Sequence, residues 1–335
     1  MIKTMYNFPF LLIFLALVNM SGAERSAPFS LSVGTQSVGV RYQFTDQCAL
    51  VESANEIAAL GSDTLKIAFT PSYADDYRLE KDACINSVMD LVRHKPSYQQ
   101  VMDMPFRNIM LWVYPFSDSK SAFSEGVISE TEAKAVYKEI YDFTAYLLKR
   151  YSGSGKSFFL GNWEGDWHLQ NEAFVYDLDP EPEAIAGAIQ WFNLREKAVA
   201  DARRETPHSE VEVYYYIELN HVAKSLDHDR PSIVNRVLPH IRTDYVSWSS
   251  YDVTKPAALL GPPFAARAKT TSSSHGHPFS RAYRRQSTCP CSAAAVHYLA
   301  LDIFVPFKIC KLSCFGRSLQ FAFCPLFTIV CFQVL

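Results

Sequence analysis

Negative charge all but disappears from the last quarter of this chain: from Lys255 to Leu335 there is one acidic residue, Asp302, against nine Lys and Arg. The other 34 of the 35 acidic residues precede Lys255, together with 23 of the 32 basic ones, which leaves residues 1–254 at −11 and the tail at +8. Cysteine is scarce where acid is plentiful, since only Cys48 and Cys84 lie in the acidic body. No Gly-x-Gly-x-x-Gly follows the first apolar run and no Walker pattern follows any, so nucleotide-binding open sheets lose their usual signature. No HExxH pair is present, which argues against a zinc hydrolase. The body also lacks an Asn-x-Ser/Thr sequon.

The two ends read differently from the middle. Lys3, the apolar run Phe8 to Val18 and the small residues Ser21-Gly22-Ala23 form a secretory signal with cleavage expected after Ala23. The run is shorter than the roughly 20 residues of a spanning helix. The tail, residues 255–335, has three readings: a basic domain, a membrane or lipid-anchor signal, or translated sequence foreign to the fold. The third is favoured, because Thr270 to Ser274 and Arg281 to Ser287 carry no periodicity and Cys289-Pro290-Cys291 lacks the second ligand pair of a zinc site. An anchor is second, on the uncharged stretch Ser318 to Leu335. The basic clusters would suit nucleic acid, but a secreted chain argues against that partner. For Cys48 and Cys84 two readings stand: a disulfide in an oxidising compartment, or two buried thiols.

Residues 24–254 alternate between short apolar runs and amphipathic stretches. Strands are expected at Val38–Phe44, Thr64–Phe69, Asn108–Tyr114, Ser157–Trp163, Val211–Glu218 and Asp244–Ser250, each rich in β-branched or aromatic residues. The clearest helix starts at Ser129, where Glu132 completes a capping box and Ala133, Val136, Ile140, Phe143 and Leu147 form one stripe. A second is expected over residues 183–204, with Ile185, Ile189, Phe192 and Val199 on one face, and Pro231 opens a short third. This βαβα order is an α/β class with a parallel sheet. Polar and aromatic residues gather at the strand C-termini, which favours a TIM-type (β/α)8 barrel, incomplete at about six βα units.

The segment Phe158-Phe159-Leu160-Gly161-Asn162-Trp163-Glu164-Gly165-Asp166-Trp167-His168 stands out. An apolar run ends there in carboxylates, an amide, an imidazole and two indoles, and the two glycines allow tight turns. With Glu164 after the fourth strand, the body resembles the retaining clan of TIM-barrel glycoside hydrolases, in which an acid/base Glu occupies that place. The clan usually has Asn directly before that Glu, whereas here Trp163 separates Asn162 from Glu164. The resemblance covers about six-eighths of a barrel and implies a secreted glycosidase acting on a carbohydrate, without cofactor or metal. It also implies a nucleophilic Glu after strand seven, yet no Glu follows Glu218. The chain is therefore expected to be inactive as it stands, or to be a non-catalytic carbohydrate-binding or interaction protein on the same scaffold.

Glycoside cleavage needs one carboxylic acid to protonate the leaving oxygen and a second carboxylate at the opposite side of the sugar. Glu164 and Glu218 are the candidates. Arg41, Asn162, Asp166, Trp167, Asn220, Trp248 and Tyr251 are the expected substrate contacts, the aromatic ones because a flat apolar face with a polar tip stacks on a sugar ring. Each has a plainer alternative: Glu164 and Asp166 as caps on a solvated loop, Glu218 paired with Arg41 or another cation, and Trp248 and Tyr251 as packing. A metal at Glu164, Asp166 and His168 would need these alternating residues to share a face, which a turn at Gly165 breaks. His94, His208, His221 and His240 read as surface or loop residues.

Overall fold

A computed structural model describes residues 30–40, 43–117, 123, 125–171, 173–228, 230–250, 299–306 and 328–334. Six strands follow one another around a curled parallel sheet: β1 (Ser30–Gln36), β2 (Thr64–Phe69), β3 (Asn108–Val113), β4 (Ser157–Gly161), β5 (Glu212–Leu219) and β6 (Tyr245–Ser249). Helices lie between them, so the body is an α/β half-barrel compatible with a TIM-like architecture. Two further strands, β7 (Leu299–Pro306) and β8 (Thr328–Val334), pair at the edges. β7 runs antiparallel to β6, and β8 runs antiparallel to β7 and parallel to β1. A TIM barrel is parallel throughout, so the six-unit body fits that pattern and β7 does not.

Five of the six expected strands fall where the apolar runs placed them, within about two residues. The first does not. Val38–Val40, Gln43 and Phe44 are outside any strand: Gly39 takes a left-handed φ of 66° and Val40 donates its N–H to Asp76 O at 2.9 Å rather than to a ladder. The strand is Ser30–Gln36, whose Gly34 and Gln36 register with Thr64 and Lys66.

Helix α5 (Glu130–Arg150) has the expected start. Ser129 Oγ accepts from Glu132 N at 3.3 Å while the Glu132 carboxylate accepts from Ser129 N at 3.0 Å. Its buried stripe is Val136, Ile140, Phe143, Leu147 and Leu148, and Lys149 and Arg150 close the last turn, where cations favour the helix dipole. Helix α7 (Pro182–Glu205) buries Ala188, Trp191, Phe192, Arg195 and Val199, whereas Ile185 and Ile189 are only partly buried. The expected third helix is a single wide π turn, Ile233–Val237, capped by Ser232 and followed by a 3₁₀ turn, Leu238–His240. Helices α1 (Ala49–Ala59), α2 (Tyr73–Tyr77), α3 (Val88–His94), α4 (Pro96–Asp103), α6 (Gly165–Leu169) and α8 (Val222–His228) complete the set among the described residues.

The core lies between sheet and helices, and all six residues of β2 are buried, Lys66 included. Arg195 is also fully buried. Its Nη2 donates to Val113 O at 2.7 Å and Gly161 O at 3.1 Å, clamping the ends of β3 and β4, and its guanidinium lies 3.9 Å from the Trp191 ring centroid. No helix among the described residues is long and apolar enough to cross a membrane. Cys48 and Cys84 are not bonded to each other; Cys48 is half-buried and Cys84 exposed.

Candidate active site at the strand ends

At Gly161, the last residue of β4, glycine is required by close approach, not by a special backbone angle. A Cβ there would sit 2.3 Å from the Tyr216 ring, and one on Gly165 would sit 2.5 Å from Ile233 Cδ1. Neither glycine has a positive φ, so both supply space rather than the turn freedom expected of them.

Between them Asn162 is fully buried and carries the β4–β5 ladder onward with its side chain. Its Oδ1 accepts from Glu218 N at 3.2 Å, and its Nδ2 donates to Glu218 O and Trp163 O, each at 3.0 Å. The amide expected to hold a sugar hydroxyl is thus engaged with backbone. Asp166 is likewise buried: Oδ2 accepts from Asn220 N at 2.9 Å and His221 N at 3.1 Å, and Oδ1 from Ile233 N at 2.8 Å. One carboxylate therefore joins the chain after β4, the chain after β5 and the turn before β6.

Glu164 stands between these two anchors and remains half-buried. Its Oε2 accepts from the Trp167 indole N–H at 2.7 Å. Trp167 expected to stack on substrate thus directs its polar edge at the candidate acid. His168, on the short helix α6, is fully buried, and burial followed by the nearby Arg195 charge lowers its pKa to about 4. Trp163 N donates to Tyr114 Oη at 3.0 Å, and Tyr114 Oη lies 2.8 Å from His168 Nε2. This chain of bonds, Trp163 N to Tyr114 Oη and Tyr114 Oη to His168 Nε2, fixes the backbone just before Glu164.

Glu218 follows the plainer of its two expected readings, a carboxylate paired with a cation. Its side chain is buried inside the sheet, where Oε2 accepts from Lys66 Nζ at 2.7 Å and Trp112 Nε1 at 2.9 Å, and Oε1 accepts from Ser249 Oγ at 2.9 Å. Lys66 also lies 4.6 Å from the centroid of the Trp112 ring. The cation that partners Glu218 is thus Lys66, and four strands converge on one carboxylate. The sequence signal for this was a single charge in an otherwise apolar strand, Thr64-Leu-Lys-Ile-Ala-Phe69.

Of the remaining candidates, Asn220 is buried with Oδ1 lacking a hydrogen-bond partner among the described residues, and Trp248 is half-buried at the end of β6. Arg41 and Tyr251 lie outside the described residues. His94, His208 and His240 are exposed, but His221 is buried, edge-on to Trp167 at 4.3 Å and to Tyr176 at 4.9 Å. Burial lowers its pKa. Two rings that the sequence reading did not single out complete the rim: Phe174 lies 6.0 Å from Trp163 and 5.6 Å from Trp167, and Tyr176 lies against His221.

No protein-family model matches the chain, and no curated protein does. The chemistry open to the site therefore rests on its own geometry. One accessible carboxyl is held by an indole donor among aromatic faces, and a second carboxylate is sealed within the sheet.

Proposed function

We propose that this chain is a secreted, carbohydrate-directed barrel of the glycoside hydrolase type, with Glu164 in the acid/base position. The observation that supports this reading is the contrast among the acidic groups after β4 and β5. Asp166 and Glu218 are tied down by backbone or buried donors, whereas Glu164 is half-buried and accepts the Trp167 indole N–H, with Phe174 packed against Trp163 and Trp167. A general acid needs access to the leaving group, which a half-buried carboxyl at the strand ends retains.

The competing reading is a carbohydrate-binding protein without turnover. Glu218 favours it, since a carboxylate already accepting three hydrogen bonds is not presented to an anomeric carbon. Hydrolysis with a small external nucleophile separates the two. The full chain would be assayed on a panel of aryl glycosides with and without azide. The anion can attack the anomeric carbon while Glu164 gives its proton to the departing phenoxide, releasing phenol and a glycosyl azide. Azide-dependent release supports the enzyme reading. No release under either condition, with glycan binding retained, supports the binding protein.

A further inference from the structure

We infer that the stretch Ala173–Asp179 is a latched lid over His221 and the two indoles on either side of Glu164 in the chain. The inference rests on the reading above only in taking the Glu164 region as the site, and its test uses no glycan.

The contacts beneath the stretch come first. Phe174 lies 6.0 Å from Trp163 and 5.6 Å from Trp167, ring to ring, and Tyr176 meets His221 edge-on at 4.9 Å. His221 in turn meets Trp167 at 4.3 Å, and the Trp167 indole N–H is the donor to Glu164. The stretch thus packs on the loops that follow both β4 and β5. His221 is 2 % exposed, and neither its Nε2 nor Asn220 Oδ1 has a hydrogen-bond partner among the described residues. Keeping such atoms from water without a partner costs stability, and that cost falls when the covering segment lifts.

Charge holds the stretch down. It joins no helix or strand, and Phe174, Val175 and Leu178 are 46 %, 46 % and 42 % exposed, so apolar packing grips it loosely. Two cations from the chain after β5 make the closing contacts. Arg230 Nη1 donates to Asp177 Oδ1 at 3.1 Å, and Nη2 donates to Asp179 Oδ1 at 2.7 Å and to the Asp177 carbonyl. Lys224, on α8, donates to Leu178 O at 2.6 Å and pairs with Asp179 at 3.3 Å. The Lys224 side chain is 1 % exposed and that of Asp177 86 %, so the latch has an anchored half on the body and a solvated half on the lid. Ion pairs with a solvated partner are weak and weaken further in salt, which suits a contact that has to release.

The test is carbethoxylation of the full chain with diethyl pyrocarbonate at neutral pH, followed histidine by histidine by mass spectrometry. His94, His208 and His240 are exposed and serve as references for the reagent. His168 is buried against Tyr114, Phe123 and Trp163, so its labelling reports wider unfolding. His221 is expected to react slowly but well ahead of His168. Asp177→Asn with Asp179→Asn, which removes both lid carboxylates and leaves the body untouched, should speed His221 labelling about five- to tenfold without changing the references or the thermal midpoint. Arg230→Gln cuts the same contacts from the other side and should act in the same direction, and Phe174→Ala should add to either. Sodium chloride at about 0.5 M should speed the wild-type reaction and leave the doubly substituted lid unaffected. Labelling of His221 and His168 at one common rate would mean global unfolding and would refute the lid. A His221 rate that neither the paired substitution nor salt changes would equally overturn it. None of these outcomes bears on whether the chain binds sugar.

Discussion

Lys66→Met should be among the most damaging single substitutions in the body, because Lys66 is the buried cation that partners Glu218. The side chains of Lys66 and Glu218 are 0 % and 2 % exposed and meet at 2.7 Å, so deleting the ammonium leaves a buried carboxylate with the neutral donors Trp112 and Ser249 in place of its cation. Removing one partner of a buried ion pair costs about 3–5 kcal/mol. Replacing both partners by neutral groups of similar volume is nearly neutral, so the double variant Lys66→Met with Glu218→Gln should recover to within about 1 kcal/mol of wild type. Glutamine keeps acceptor capacity for the indole and the hydroxyl. In a body of this size a loss of about 3 kcal/mol lowers the melting temperature by roughly 6–12 °C. Urea unfolding of the three proteins, compared at constant denaturant slope, measures the effect. A single variant that loses less than about 1 kcal/mol, or a double variant no more stable than the single one, would refute the view that Glu218 is held as a buried carboxylate.

Three further outcomes are expected. Glu164→Gln should leave stability almost unchanged and, with azide present, abolish release of poor leaving groups while sparing activated ones; equal mild losses on both would sink the acid/base assignment. Stability should fall as pH drops from about 6.5 towards 4, because the unfolded chain protonates a histidine that His168 resists when buried, a contribution on the order of 3 kcal/mol that is present above the unfolded pKa. Asp76, raised to about 6 by burial, works in the opposite direction over the same window, so the quantity to read is the flattening of the pH profile in His168→Gln, and an unchanged slope would count against a buried neutral imidazole. Trypsin is expected to remove the tail from Lys255 onward and leave the acidic body, whereas a resistant fragment spanning Leu299 to Val334 would make β7 and β8 integral to the fold.

What the sequence disclosed was local. The Ser129 cap, the start of α7 at Pro182 and the strands from β2 to β6 are all specified by residues within a few positions of each other. The serine- and glycine-bearing strand Ser30–Gln36 escaped notice because its extended form is imposed by pairing with β2, while Val38–Phe44 has strand-like side chains on a backbone broken at Gly39. At the site, the position of Glu164 was legible, but the roles of its neighbours were not. Asn162 and Asp166 meet partners 54 to 67 residues away, and Lys66 meets Glu218 across 152 residues. Residue type alone did not separate a carboxylate that caps backbone amides from one that faces a ligand.

The suspension of Glu164 between Asn162 and Asp166 has an evolutionary side. Both flanking side chains bond to the backbone of the β5 region, so the place of residue 164 is set from outside and does not depend on what side chain it carries. Such a position can change chemistry in a single step while its address in the molecule stays the same.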